Sequence, residues 1–268
     1  VSVGPLPRVG PLLEWRQDNP RVGVVLCDRK GAEIHVMGGL DPDREDYVEG
    51  RDFPITKVKA GGSAEARIHR RAENTWEANA RAVAEDVNRM RSEEHLELVV
   101  VAGDIRAIGF LDEQLGEGLD RVALEMEIRP EVGLDEVADE LQRAVAAYAG
   151  QTTEDLLARF REERGQQDLA ADGVEATLAA LRMAQVDMLL VSRDVSGSAW
   201  FSPSQPAQVS ERRATIDELG LEDALEASLE DVAIAVALLT GATVRVVPTV
   251  GEEHGPRDGI GALLRFRT

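Results

Sequence analysis

The sequence predicts an α/β protein of two domains, and three observations carry the prediction. The core is aliphatic: 43% of the 268 residues are hydrophobic but only 4% are aromatic, so Val, Leu, Ile and Ala must fill it. Short aliphatic runs alternate with stretches whose apolar residues recur every three or four positions, the pattern of strands layered with helices. The length suits one large or two ordinary domains. One helical pattern closes at Gly150 and a new one is capped by Thr152 or Thr153, which places a boundary at 148–151.

Residues 1–20 hold four of the eleven prolines and no long periodic run, so they read as a linker or the tail of a preceding domain. Residues 21–27 (RVGVVLC) and 32–37 flank the turn Asp28-Arg29-Lys30-Gly31 and form a hairpin. Residues 38–51 are polar, contain Asp41-Pro42 and read as a loop; 52–58 supply a third strand. A long helix follows, with Ile68, Ala72, Trp76, Ala80, Val83, Val87 and Met90 on one face and Trp76 therefore in the core. Ser63 is its expected N-cap, and Gly61-Gly62 before it open conformations closed to other residues. A strand at 96–102, a short helix at 105–115, a strand at 122–128 and a helix at 134–148 complete a mixed domain over 21–149. Over 150–268 the pattern gives a helix to 164, a helix capped by Asp172 and running to 183, a strand at 186–192 and a loop at 194–213. A helix at 221–240 stopped by Gly241, a strand at 243–247, a loop at 251–259 and a final strand at 260–266 follow. The prediction for this part is a three-layer α/β/α sandwich.

Several classes of function are excluded or disfavoured. No window approaches the ~20 apolar residues of a membrane span, and no secretory h-region opens the chain. Cys27 is the one cysteine, so no internal disulfide framework exists, which fits a cytoplasmic protein. His35, His69, His95 and His254 are scattered and make no metal-ligand spacing with it. No cofactor motif is present: there is no P-loop, no GxSxG elbow and no HExxH. The glycine-dense stretch 255–261 precedes a strand rather than a helix, so no dinucleotide fingerprint applies. Acid pairs such as Glu93-Glu94 and Glu252-Glu253 read as solvated surface.

Charge is unevenly placed. The net charge of −20 argues against a protein that coats nucleic acid, DNA included. Residues 57–71 nevertheless hold five Lys/Arg against Glu65 alone, net +4, while 93–141 hold three bases and fifteen acids and 215–231 hold seven acids and no base. Lys57, Lys59, Arg67, Arg70 and Arg71, with His69 among them, make a basic tip that can face phosphate. The acidic 215–231 face can meet a basic protein surface or simply keep the chain soluble.

Three stretches together resemble a family. The hairpin, the basic loop with Gly61-Gly62-Ser63 and the helix with Arg67, Arg71 and Val83-Ala84-Glu85 resemble the middle domain of the archaeal and eukaryotic class-one peptide release factors and of Pelota. Val99-Val100-Val101-Ala102-Gly103 is similar to the strand and turn after that helix. The runs 173–178, 186–191 and 238–247, with 259–266 the most specific of all, resemble their C-terminal domain. The likeness covers nearly all of 21–268 and is nearest to bacterial, actinobacterial-type relatives, a group that includes the hibernation factor Balon and proteins likened to Vms-type peptidyl-tRNA hydrolases. It implies an RNase-H-like middle domain that reaches towards the peptidyl-transferase centre and an L7Ae/L30e-like C-terminal domain that contacts a translational GTPase or other partners. The family's N-terminal domain has no counterpart here and the chain begins at Val1, so a fragment of a longer protein is the expectation. A monomer is expected.

One departure separates this sequence from the release factors. Their tip reads Gly-Gly-Gln; here it reads Ala60-Gly61-Gly62-Ser63-Ala64-Glu65. Gln114 and Gln151 lie too far along the chain to replace the missing glutamine. Ser63 or Glu65 can in principle orient a water, but a carboxylate works against nearby RNA phosphates. The expectation is a cytoplasmic, ribosome-associated factor that binds the A site of stalled or idle ribosomes, through ribosomal RNA or tRNA, without hydrolysis. Two alternatives stay open: a peptidyl-tRNA hydrolase with an altered tip, and a stress-related scaffold that keeps only the fold.

Overall fold

The computed structural model describes residues 4–28, 31–49, 63–116, 118, 120–125, 133–166 and 168–266, without the side chains of 49 and 63–73. The chain divides into two compact units, residues 18–149 and residues 1–17 with 150–268.

The segment expected as a linker or tail contains a helix, α1 (Gly10–Asp18). Leu6, Val9 and Leu13 pack against the core of the unit made by 150–268. The Gln17 amide donates to the Val246 carbonyl (2.6 Å) and accepts from the Val246 amide (3.0 Å). A short run of three apolar side chains is too brief to register as a period, and only the partner surface reveals its purpose.

The 18–149 unit opens with β1 (Val22–Cys27), β2 (Gly31–Met37) and β3 (Arg44–Glu49). The third strand lies inside the stretch read as a loop, and the strand expected at 52–58 falls outside the described residues. The reading failed because β3 is a charged edge strand, REDYVE, whose only buried apolar residue is Val48; charge on an edge discourages pairing with other chains. The helix α2 (Ser63–Glu94) leads into β4 (Leu98–Gly103), α3 (Ile105–Asp112) and β5 (Asp120–Glu125). The sheet order is β3-β2-β1-β4-β5. The first three strands pair antiparallel, and β1, β4 and β5 run parallel, the mixed sheet expected of an RNase-H-like domain. All of β1 and β4 are buried, as strands covered on both faces must be. Val25, Ile34, Val99 and Val101 face Val83, Val87 and Met90 of α2. Val24, Leu26, Leu98 and Val100 face Val137, Leu141 and Ala144 of α4 (Leu134–Gln166).

The break expected at Gly150–Thr153 does not interrupt that helix. Gly150 and both threonines are helical, and the boundary between the units falls within α4. One glycine in a helix interior costs only about 1 kcal/mol, less than the burial of Ala149, Leu157 and Phe160 around it returns.

In the other unit, β6 (Ala170–Asp172), α5 (Val174–Arg182), β7 (Val186–Ser192), β8 (Ser198–Phe201) and β9 (Val209–Ser210) follow. Then come α6 (Arg213–Glu218), β10 (Leu225–Ser228), α7 (Leu229–Leu239), β11 (Thr243–Val247), a 3-10 turn (Arg257–Gly259) and β12 (Ile260–Leu264). The main sheet, β11-β7-β12-β6, lies between α5 with α7 on one face and Leu157 and Phe160 of α4 on the other. This is the α/β/α sandwich the alternation predicts.

Two expectations change here. The 194–213 loop contributes β8 and β9, which join β10 in a second, antiparallel sheet, and buries Ala199, Phe201 and Val209. The single helix at 221–240 is replaced by β10 and α7, joined at Ser228, whose hydroxyl accepts from the Asp231 amide (3.1 Å) and so caps α7. Gly241 ends α7 with φ +70°, the left-handed C-terminal position glycine favours. Asp172 does not cap α5. Gly173 holds that position with φ +86°, and the Asp172 carboxylate accepts instead from the Arg257 amide (2.7 Å).

Candidate functional site

The described part of the basic tip lies at the start of α2. Lys57, Lys59, Gly61 and Gly62 lie outside the described residues. Ser63, Glu65, Arg67, His69, Arg70 and Arg71 are on the helical backbone of the first turns of α2, and their side chains are outside the description, as are those of Ile68 and Ala72. The described packing face begins at Trp76, 8% exposed, and continues through Asn79, Val83, Ala84, Val87 and Met90. Thirteen residues of α2 precede Trp76, about 20 Å of helix at 1.5 Å per residue.

The opposite end of α2 is fixed by charge. Arg21, only 4% exposed, donates to the carbonyls of Gly38 (2.9 Å), Asp41 (3.1 Å) and Pro42 (2.8 Å) and to the Glu94 carboxylate (3.0 Å). Arg44 of β3 meets Glu93 (3.3 Å) and Glu94 (3.1 Å). Arg89 lies 3.7 Å from both Asp46 and Glu93. The hydrogen bonds from Arg21 and then Arg44 hold the Glu94 carboxyl below its ordinary value. Glu93-Glu94 is therefore not a free solvated pair: it anchors the helix to the turn and edge strand. Sequence reasoning missed this because the partners lie some 50 to 73 positions away.

Other candidate chemistry resolves into structure. A crevice at the C-terminal ends of β1 and β4 is lined by Cys27, Asp28, Trp76, Val83, Ala107 and Phe110, among others. Asp28 accepts from the Gly31 amide (2.9 Å) to close the hairpin, and Asp104 caps α3 by accepting from Arg106 (3.0 Å) and Ala107 (3.2 Å). Burial, with Asp28 and Asp104 adding to it, pushes the Cys27 thiol up to about 12, so no thiolate nucleophile forms at neutral pH. In the other unit the glycine-dense 255–261 stretch serves packing: a Cβ on Gly261 would come within 2.8 Å of the Phe160 ring. Arg164 holds the preceding loop through the carbonyls of Glu252 (2.8 Å) and Gly255 (2.9 Å). Gln151 donates to Asp155 (2.8 Å) and Gln114 accepts from Arg81 (3.4 Å). The acidic 215–231 stretch is divided among α6, β10 and α7; its Asp223 binds the Ser202 hydroxyl (2.6 Å) and the Ser204 amide (2.7 Å), and Asp231 is buried. No described helix is long and apolar enough to cross a membrane.

Comparison with known proteins agrees with this architecture. Residues 21–166 match bacterial archaeo-eukaryotic release factor family 2. The uncharacterized protein Rv2629 of Mycobacterium tuberculosis is 27% identical over 282 residues, covering 99% of this chain and 71% of that protein. Among solved structures, a ribosome-bound archaeal Pelota, determined with ABCE1, is 16% identical with a TM-score of 0.53, covering 97% of this chain and 65% of Pelota. The Saccharomyces cerevisiae protein Dom34, a translation termination-like factor that interacts with Hbs1, is 14% identical with a TM-score of 0.49, covering 94% and 66%. The chain thus spans about two thirds of the length of these structural neighbours.

Proposed function

Since the chain belongs to bacterial archaeo-eukaryotic release factor family 2, we propose that it is a translation factor that enters the A site of stalled or idle ribosomes and occupies it without releasing peptide. The observation that carries the reading is the +4 segment at 57–71 opening a helix whose far end is clamped to its domain by Arg21 and Arg44. A helix with a basic start on an acidic protein concentrates attraction for phosphate at one place. Lys57, Lys59, Arg67, His69, Arg70 and Arg71 contact ribosomal RNA or tRNA in this reading, and Gly61-Gly62 allow close backbone approach. The missing glutamine, with Ser63 and Glu65 in its neighbourhood, supports occupancy over hydrolysis. A translational GTPase is the proposed escort, as the resemblance of residues 150–268 to the release-factor C-terminal domain implies.

Co-sedimentation with 70S ribosomes, run beside a peptidyl-tRNA hydrolysis assay, tests the proposal. Wild type is expected to pellet with ribosomes and to release no peptide, with log affinity falling linearly as log salt rises because phosphate contacts release counterions. Arg67→Glu/Arg70→Glu/Arg71→Glu is expected to stay in the supernatant with its circular dichroism unchanged. Binding that survives this reversal sinks the assignment of the tip. Release of labelled peptide, lost on Ser63→Ala or Glu65→Ala, replaces occupancy by hydrolysis. A wild type that fails to bind at any salt concentration leaves a fold-retaining scaffold.

A further inference from the structure

The sheet edge of the 18–149 unit carries a second cluster, unrelated to the basic tip. In the β2–β3 ladder His35 stands opposite Glu45 and Glu33 opposite Tyr47. Ile34 and Val36 belong to the core under α2, so strand alternation turns Glu33 and His35 to the other face, where the next residue in the alternation, Met37, packs against the core that includes Val137 and Leu141. Glu45 shares that face as the cross-strand neighbour of His35. One donor atom from each of Glu33, His35 and Glu45 lies within 4.8 Å of the other two.

His35 is 8% exposed. Its Nε2 is shut off from solvent and makes no hydrogen bond, although Glu33 Oε1 is only 2.8 Å away. An imidazole nitrogen without a hydrogen bond and a carboxylate oxygen this close to it can both turn to a single cation, at about 2.0–2.1 Å from each. Among the described residues no Lys or Arg pairs with Glu33 or Glu45.

We propose that Glu33, His35 and Glu45 bind one divalent transition-metal ion of the zinc class, which ties the edge strand β3 to β2. One imidazole and two carboxylates form a borderline donor set, which suits zinc and its first-row neighbours and disfavours the all-oxygen preference of magnesium and calcium. The half-buried Glu33 and the exposed Glu45 leave the site open for an ion to enter and for water to complete its shell. A search for His and Cys spacing misses the site, because Glu45 arrives from a strand the sequence conceals.

Titration calorimetry of the metal-stripped, untagged full chain with zinc chloride tests this, together with cobalt(II) absorption spectra. One zinc per chain, cobalt bands of a nitrogen–oxygen site and a higher unfolding temperature with zinc are expected. Glu45→Gln, at an exposed position that leaves the core untouched, is expected to weaken zinc at least tenfold, and Glu33→Gln likewise. His35→Asn alters a buried side chain, so the two glutamate variants keep the test decisive. No stoichiometric zinc, or zinc bound equally well by Glu45→Gln, means that Glu33 and His35 form an ion pair only and overturns the proposal. Displacement of zinc by equimolar magnesium overturns the choice of metal class.

Discussion

The two units solve the same packing problem with different chemistry. Each sandwiches a sheet between helices. In the unit made by 150–268 the closure is apolar on both sides: α5 and α7 cover one face of the sheet, while Leu157 and Phe160 of α4 cover the other. In the 18–149 unit the faces are equally aliphatic, but the end of α2 and the edge strand are tied down by arginines and carboxylates. Arg21 alone serves three carbonyls and Glu94. Apolar closure depends little on pH, whereas a charged clamp must follow the titration of its carboxylates. Amide exchange read separately in β1 and β7 makes the contrast measurable.

The sharpest break falls in the apolar unit. Phe160 is fully buried against Gly261, so Phe160→Ala is expected to lower protection in β7 by about 3–5 kcal/mol. A smaller loss confined to α4 would show that the sheet collapses onto the cavity. Arg21→Ala comes next. Removing a buried guanidinium leaves three carbonyls and a carboxylate short of a donor, at about 3 kcal/mol, expected in β1 and β2 and absent from β7. If β7 responds equally, the units do not unfold separately.

The pH response is the third and more graded test. Because hydrogen bonds from Arg21 and Arg44 lower the folded value of Glu94, the unfolded chain takes up a proton at a pH where the folded one refuses it. The contribution is therefore complete above the ordinary glutamate value of about 4.3 and is lost as pH falls through the lowered folded value. Glu94→Gln should lower stability in β1 at neutral pH and flatten its dependence on acid, with no change in β7. An unaltered acid slope in β1 would remove the clamp from the account of pH sensitivity. Cys27 offers a related check at the alkaline side: with its thiol pushed up to about 12, labelling by a thiol reagent at pH 8 should occur only as fast as the 18–149 unit opens.

The smallest expected effect lies on the helix both units draw upon. Among the described residues, and apart from its chain neighbours and the surrounding helix backbone, no atom stands within 4 Å of a Cβ built on Gly150, so Gly150→Ala is expected to stabilise by up to about 1 kcal/mol through helix propensity. A loss would mean that the glycine is needed in a non-helical form, as the sequence reading supposed.

Much of this architecture was legible beforehand, and the failures share a cause. Strands buried on both faces, such as β1, β4 and β7, announce themselves as unbroken aliphatic runs. The periodic stretch around α2 and the glycine closing α7 are equally plain, because the signal lies within a few neighbouring residues. The charged strand β3, the short strands β8 and β9 and the helix α1 were hidden, because their reasons to exist lie across the fold. The same holds for the anchoring of Glu94 by Arg21 and for the meeting of Glu45 with His35.

By itself, the sequence determined the aliphatic α/β class, the alternation of elements and the basic segment at 57–71, since composition and local period are properties of the chain alone. Tertiary structure decided that Gly150 continues a helix, that residues 6–17 belong with a sheet more than 150 positions away, that the Glu93-Glu94 pair, read as surface, becomes an anchor, and that Glu33, His35 and Glu45 come together. Those outcomes depend on which side chains meet after folding: a buried charge persists only beside its partner, and the partner is chosen by strand order and register.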